Sequence, residues 1–464
     1  MKHIIYTFIF LSGIPVIAIG AGRSAVFRSL CWAILVGLLG LGHMGGVVNY
    51  VSTEHYRGTD RGFELTFTDM FAVGLLISRA LGAPLLGKPR RWWPPGYFAL
   101  VAFVLLGLVG ILDSIMPLYG FFTFWKMLRI LLLYWVCWSA GCGEVDASVF
   151  FKGVFRGLVF GLLVVGLFAM KQKFVDHMYR VNSTFDHSNT IPLYVNLAAG
   201  PVLAWMLGDT KMGRAEFIAG FAAVAFALVG VVATQSRLGI LLAVVTVGMT
   251  LVIANTGSPS RRSRAATVVF VMAGLIGGLL VMQTLMDRIK NAPESSAKAR
   301  DEFNVAAKEM AADKFFGVGL NNFSITMTEE EKYRAHVEVM ADEEQSGVAH
   351  HLYLLTAAET GYIGLAVLVA VFLLIELKYL RFILRRRSKA ESASLGFLPP
   401  VVIATLLGQL ALFTSCFFEW AFRITPVMAQ FFIVSAVVCA ALSRAGLSGA
   451  AGLGQAFSRK KALA

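Results

Sequence analysis

Residues 352–376 read LYLLTAAETGYIGLAVLVAVFLLIE, a run of 25 residues whose only charges are Glu359 and Glu376. About 20 apolar residues in a helix cross the hydrocarbon core of a bilayer, so this stretch alone points to a membrane. Similar runs recur at 4–20, 29–48, 66–84, 97–117, 122–142, 151–170, 190–207, 216–234, 238–254, 266–285, 396–417 and 427–443, making thirteen with 352–376. They are continuous, where the strands of a membrane barrel would alternate polar and apolar residues. Of the 464 residues, 57% are hydrophobic and 15% charged; a soluble domain has about 45–50% and about 25%. A water-soluble enzyme, a disordered chain and a fibrous protein are excluded. The expectation is an all-α polytopic membrane protein with about 12–13 transmembrane helices. Residues 1–285 hold helices with short loops, 286–350 one long loop region containing short helices, and 351–464 the last helices and a basic tail.

The net charge of +13 (41 Lys and Arg against 28 Asp and Glu) would suggest nucleic acid in a soluble protein. In a membrane protein it is the Lys/Arg excess of cytoplasmic loops, and no nucleic-acid partner is expected. Lys88 to Arg91, Arg261 to Arg264, Lys378 to Lys389 and Arg459 to Lys461 all fall on one side when spans are counted between them. The segments near 50–65, 171–189, 235–237, 286–350 and 418–426 then face outward. The N-terminus is outside with thirteen spans, or inside if one early span does not cross. MKHIIYTFIFLSGIPVIAIGAG (1–22) resembles a signal peptide, but a second apolar run follows at once, so it reads as a retained anchor. The five cysteines show no CxxC or Cys/His spacing, which argues against a disulfide framework or a zinc site.

The segment 286–350 is the one long hydrophilic stretch, with 13 of the chain's 28 acids. Within it, Ala297 to Asp313 has helix-forming composition, with Phe303, Ala306, Ala307 and Met310 on one face. Function concentrates in loops held by a rigid scaffold, so the chemistry is expected here and at the adjoining membrane borders. There is no GxxxxGK[ST], HExxH or GxSxG, which leaves ATP hydrolysis and zinc proteolysis without support.

What remains is a set of outward Arg and His residues. In YRVNSTFDHSN (179–189), Ser188 or Asn189 suits a helix N-cap, which leaves Arg180 and His187 unexplained. In TQSR (234–237) the turn is so short that Arg237 sits at or inside the interface, where lone outer arginines run against the inside bias. Arg300 precedes FGVGLNNF (316–323), whose glycines permit a tight turn. His350 and His351 enter the 352–376 span from its outer end. A metal would need further ligands, with His187 and His336 the outward candidates; neither metal nor other cofactor is expected. Asp69, Lys126 and Arg129 are the mid-span charges, too few to line a transport path.

Together YRVNSTFDHSN, TQSRLG (234–239), the AR at 299–300 followed by AADKFFGVGLNNF (311–323), and HHLYLLTAAETGYIG (350–364) resemble the O-antigen ligase family. That family lies in a superfamily with O-antigen polymerases and protein O-oligosaccharyltransferases. His350 and Gly361 have the histidine-to-glycine spacing described for the ligases. The residue after the histidine is often Asn and is His351 here; Ser183 and Ser188 stand where Gly and Pro are common. The resemblance implies an enzyme of the bacterial inner membrane with its site facing the periplasm. It would transfer a polysaccharide from undecaprenyl pyrophosphate to a sugar hydroxyl of lipid A-core, among membrane lipids. His350 would be the general base and Arg180, Arg237 and Arg300 a pyrophosphate clamp, with His187, His351 and Gly361 supporting. Arginine's planar fork suits phosphate and stays charged, and a neutral imidazole can accept the hydroxyl proton. No metal is required if arginines carry the charge. The alternatives are a polymerase or oligosaccharyltransferase and, in another class, a lipid-linked glycan flippase.

Overall fold

A computed structural model describes residues 2–53, 56–83, 92–256, 260–290, 294–337, 347–385 and 395–447. All thirteen apolar runs coincide with helices: α1 (Lys2–Arg23), α2 (Ala25–Gly40), α3 (Phe67–Ala80), α4 (Tyr97–Leu112), α5 (Pro117–Gly143), α6 (Ala147–Met170), α7 (Thr190–Gly208), α8 (Arg214–Ala233), α9 (Arg237–Ala254), α10 (Arg261–Lys290), and, after the long loop region, α14 (Leu352–Leu384), α15 (Leu398–Ser415) and α16 (Thr425–Leu447). The loop region itself carries α11 (Glu294–Asp313), α12 (Phe323–Glu329) and α13 (Glu331–Arg334). Among the described residues nine helices are long and apolar enough to cross a bilayer; α2 and α4 are apolar but shorter. The protein is an all-α polytopic membrane protein.

Hydrogen bonds among them gather the described residues of 41–66, 171–189, 234–236, 314–337, 347–351 and 416–424 at one end. The start of α1 lies there too: the Tyr6 hydroxyl donates to Gly46 O and Leu65 O at 2.8 and 3.0 Å. α16 closes at the opposite end, where Arg444 donates to the carbonyl of Glu144. Of the basic segments read for orientation, Arg262 holds the 209–213 turn through Met212 O and Asp209 O at that opposite end. Lys88 to Arg91, Arg386 to Lys389 and the tail lie outside the described residues.

One boundary departs from the sequence reading. The run 29–48 stops as a helix at Gly40, and Val47–Tyr50 (β1) instead pairs antiparallel with Phe63–Thr66 (β2), Val47 opposite Thr66. Gly42 and Gly46 adopt left-handed backbone, and a side chain on Gly46 would run into the Phe67 ring. Apolar content alone does not reveal this turn.

Small residues let the helices approach closely. Gly153, Gly157 and Gly161 of α6 meet Ser29, Ala33 and Gly40 of α2 backbone to backbone, the packing mode available where lipid supplies no hydrophobic drive between helices. α7 is the central element, buried at every residue from Thr190 to Leu207. Over the gathered end sits a small helical cap. The face of α11 read from the sequence, Phe303, Ala306, Ala307 and Met310, is buried against α12, α13 and the start of α14 through Phe323, Tyr333 and Leu355. Lys332 and Tyr333 bind Asp313 at 2.6 and 2.9 Å, and His336 meets Glu309 at 2.6 Å, stitching α13 to α11. His336 therefore belongs to the cap's own packing.

Candidate active site

The site is built on a break in α14. Gly361 has φ 69° and ψ 173° inside the helix, a conformation that favours glycine, and a side chain there would collide with Phe315 O. A break leaves preceding carbonyls without helical partners. Val318 N and Gly319 N donate to Ala358 O and Glu359 O at 2.8 and 3.0 Å, so the glycine turn after α11 completes the interrupted helix. Asn321 and Asn322 extend this docking. Asn321 Oδ1 accepts from Thr59 N at 2.8 Å and its Nδ2 donates to Tyr119 O at 2.9 Å; Asn322 Oδ1 accepts from Met116 N at 2.9 Å.

Below this junction lies a layer of buried ion pairs. Glu359 meets Arg423 at 2.6 Å with both side chains at most 2% exposed. Lys126 Nζ donates to Asp60 at 2.6 Å and to Arg423 O at 2.7 Å. Arg129 is held by Glu64 at 2.9 Å and by Asp69 at 2.8 Å, and Asp69 also completes the capping box of α3. The charges that a transport reading placed along the membrane depth are thus paired within the scaffold.

Above it, the candidate residues converge. Arg180 donates from Nε to Thr234 O at 3.1 Å and from Nη2 to Asn189 Oδ1. Asn189 is the N-cap of α7, yet its side chain makes no cap bond; its Nδ2 instead donates to Glu419 Oε1. Glu419 lies 3.9 Å from Arg300 Nη2, with side chains 16% and 42% exposed respectively. Next to Glu419, Trp420 packs on the cap core and faces the exposed His187 ring, with centroids 5.9 Å apart. His350 is close enough to Arg300 and His187 to feel both charges. Burial, then Arg300, then His187 lower its pKa from 6.5 to about 4. Its Nδ1 is buried with no hydrogen-bond partner among the described residues.

The remaining sequence candidates occupy different positions. His351 is the N-cap of α14: its Nδ1 accepts from Leu354 N at 3.2 Å, and its ring packs on Tyr353 and Phe417. Arg237 is exposed as the first residue of α9. The turn before it is tied to the Arg180 segment by Gln235 Nε2, which donates to Tyr179 O at 3.2 Å. Gly361 is the helix break itself. Ser183, at the position where the family often has Gly, has φ 56° and donates to Val165 O.

Glu419 and the bridging role of Asn189 escape sequence reasoning. Glu419 sits in FFEWAFR (417–423) between two apolar runs and reads there as one acid in a solvated turn. Its partner Asn189 is 230 residues away. Burial raises its pKa, opposed by Arg300, Asn189 and Arg180.

A multi-pass membrane protein that gathers Arg180, Arg300, His187, His350 and Glu419 at one end, beneath a helical cap, has the makings of a site for an anionic group beside a proton acceptor. Residues 222–369 match the family model described as O-antigen ligase. Over that stretch, about a third of its length, the chain is similar to the O-antigen ligase family. The matched stretch includes Arg237, Arg300, His350 and Gly361, while Arg180, His187 and Glu419 lie outside it. No curated protein matches the chain.

Proposed function

We propose that the protein is an O-antigen ligase that transfers a glycan from undecaprenyl pyrophosphate to a sugar hydroxyl of lipid A-core on the periplasmic face of the inner membrane. The observation that carries this reading is His350: an imidazole with a buried, unpartnered nitrogen, beside Arg300 and His187. The acceptor hydroxyl attacks the anomeric carbon as the bond from that carbon to the phosphate oxygen breaks. The leaving diphosphate carries growing negative charge, and donors already aimed at such charge stabilise the transition state. Arg180, Arg237 and Arg300 supply those donors, and His350 takes the hydroxyl proton.

The environment also couples the two roles. His350 is neutral but weakly basic, its pKa lowered by burial and then by the neighbouring Arg300 and His187. A diphosphate held by Arg300 opposes that arginine's field and raises the imidazole's basicity, so the base strengthens once the donor is in place. His351 packs and caps, and Gly361 positions His350 relative to the 315–322 turn. A flippase remains the reading from another class. Against it stands the pairing of Asp69, Lys126 and Arg129 within the scaffold.

Reconstitution with purified donor lipid and lipid A-core decides the matter. A covalent product lost in His350→Ala is expected. A product formed only with a second lipid-linked glycan as acceptor assigns a polymerase. Donor movement across the vesicle with no new bond assigns a transporter.

A further inference from the structure

We propose that Glu419 takes up a proton when the donor's diphosphate binds, and in that form donates a hydrogen bond to it. This rests on the reading of the cluster as a diphosphate site. The geometry begins with a contrast among carboxylates. Glu144, Glu359 and Asp60 each grip their cation at 2.6–2.7 Å, whereas Glu419 stands 3.9 Å from Arg300, beyond hydrogen-bond reach. Its other link is to Asn189, whose carbonyl oxygen in turn accepts from Arg180. Glu419 thus stands beside Arg300 beyond hydrogen-bond reach and is linked to Arg180 through Asn189, so that a phosphate oxygen bound by Arg300 would lie close to its carboxylate.

Two anions cannot share that place cheaply. Two like charges held close together in a largely buried place repel strongly, so the carboxylate must either leave or be neutralised. Leaving is obstructed at both ends of its segment. Cys416 O accepts from Leu352 N at 2.8 Å, Arg423 is locked to Glu359 at 2.6 Å, and Trp420 is packed on the cap core. Neutralisation is the open route, and burial already favours the protonated acid. The charged and titratable groups around it are Arg180 and Arg300, His187 across Trp420, His350 beside Arg300, and Cys416 three residues earlier. A carboxylic acid offers a phosphate oxygen one donor and adds no charge, completing the shell that Arg180 and Arg300 begin.

The test uses the full chain in detergent and farnesyl diphosphate as the probe. Calorimetry in buffers of different ionisation enthalpy counts protons taken up on binding. The wild type is expected to take up close to one proton more than Glu419→Gln at pH 7. Glu419→Gln, which keeps a hydrogen-bonding amide but has no charge to neutralise, is expected to bind the probe about tenfold more tightly at pH 8. Equal proton uptake by the two proteins overturns the proposal while leaving the diphosphate site intact. If Glu419→Gln does not fold, His350→Ala is measured instead, since it removes the other group whose basicity rises on binding: proton uptake that persists in it supports the proposal, and none at any pH between 6 and 8 overturns it. Failure of the wild type to bind, or binding unaffected by Arg300→Ala, defeats the diphosphate reading itself and this inference with it.

Discussion

Two sets of charges occupy the same end of the molecule and are paired in opposite ways. In the lower layer Asp60, Lys126, Arg129, Glu359 and Arg423 form short contacts of 2.6–2.9 Å in which the cations are at most 8% exposed. Among the described residues of the upper cluster, Arg300 is 42% exposed and 3.9 Å from the carboxylate of Glu419, and His350 keeps a buried nitrogen without a hydrogen-bond partner. A desolvated charge that lacks a partner destabilises the fold, so each charge of the lower layer is paired within it, although Glu359 Oε1 and Arg423 Nη1 make no hydrogen bond among the described residues. In the upper cluster Arg300 approaches Glu419 only to 3.9 Å. The closeness of charge pairing, more than charge itself, separates scaffold from site.

The largest expected effect comes from opening the closed layer. Arg423→Ala leaves Glu359 buried and uncompensated, and removing one partner of a buried pair destabilises by about 3–5 kcal/mol. Thermal unfolding in detergent should show this as a large fall in midpoint. The double variant Arg423→Met with Glu359→Gln should recover most of it, since replacing both partners is often nearly neutral. If the single variant melts like the wild type, the lower layer is not holding the cap junction.

In the upper cluster the expected losses are in rate rather than stability. His350→Ala should reduce transfer by about 10²–10⁴-fold, the usual range for a general base, with unchanged melting and donor binding. His351→Ala should retain much more activity and lose stability by about 1 kcal/mol, the typical worth of an N-cap. The reverse pattern in a transfer assay would move the base by one residue. Arg300→Ala and Arg237→Ala should each lose about 10- to 100-fold, with lysine rescuing only partly because it lacks the fork. Full activity of both alanine variants at normal protein levels removes the clamp.

The two layers were unequally legible in the sequence. The helices announce themselves because every apolar run must bury its backbone polar groups as a helix in lipid. The face of α11 was readable from its 3.6-residue period, and Phe303, Ala306, Ala307 and Met310 are all buried. Arg180, His187, Arg300 and His350 stood out as basic residues in segments that the charge bias of the sequence assigns to the outer side. The pairings did not. Glu359 and Arg423 are 64 residues apart, and Asn321 reaches 262 residues back to Thr59. No local period encodes such contacts. Asn189 shows the same limit from the other side: its sequence position says N-cap, and tertiary contacts with Arg180 and Glu419 redirect its amide. The β1–β2 hairpin is too short for its alternation to register against the apolar run that precedes it.

The smallest expected effect concerns how far His350 is tuned, and by what. Its pKa is lowered from 6.5 to about 4, with burial the largest cause and Arg300 and His187 contributing less. A base with a depressed pKa is in its working, neutral form at every pH above that value. The acidic limb of kcat/KM, which reports the free enzyme, should therefore fall near pH 4 and not near the 6.5 of an ordinary imidazole. His187→Gln removes the weakest of the lowering influences. The limb should then move upward, toward 6.5, but by only a small fraction of the interval, because burial is untouched. An acidic limb at 6.5 in the wild type would mean that His350 is solvated before the donor arrives. A His187→Gln shift spanning most of the interval would mean that charge, rather than burial, sets the base. Either result would weaken the distinction between an open upper cluster and a closed lower layer, since that distinction depends on His350 being dry and unpartnered.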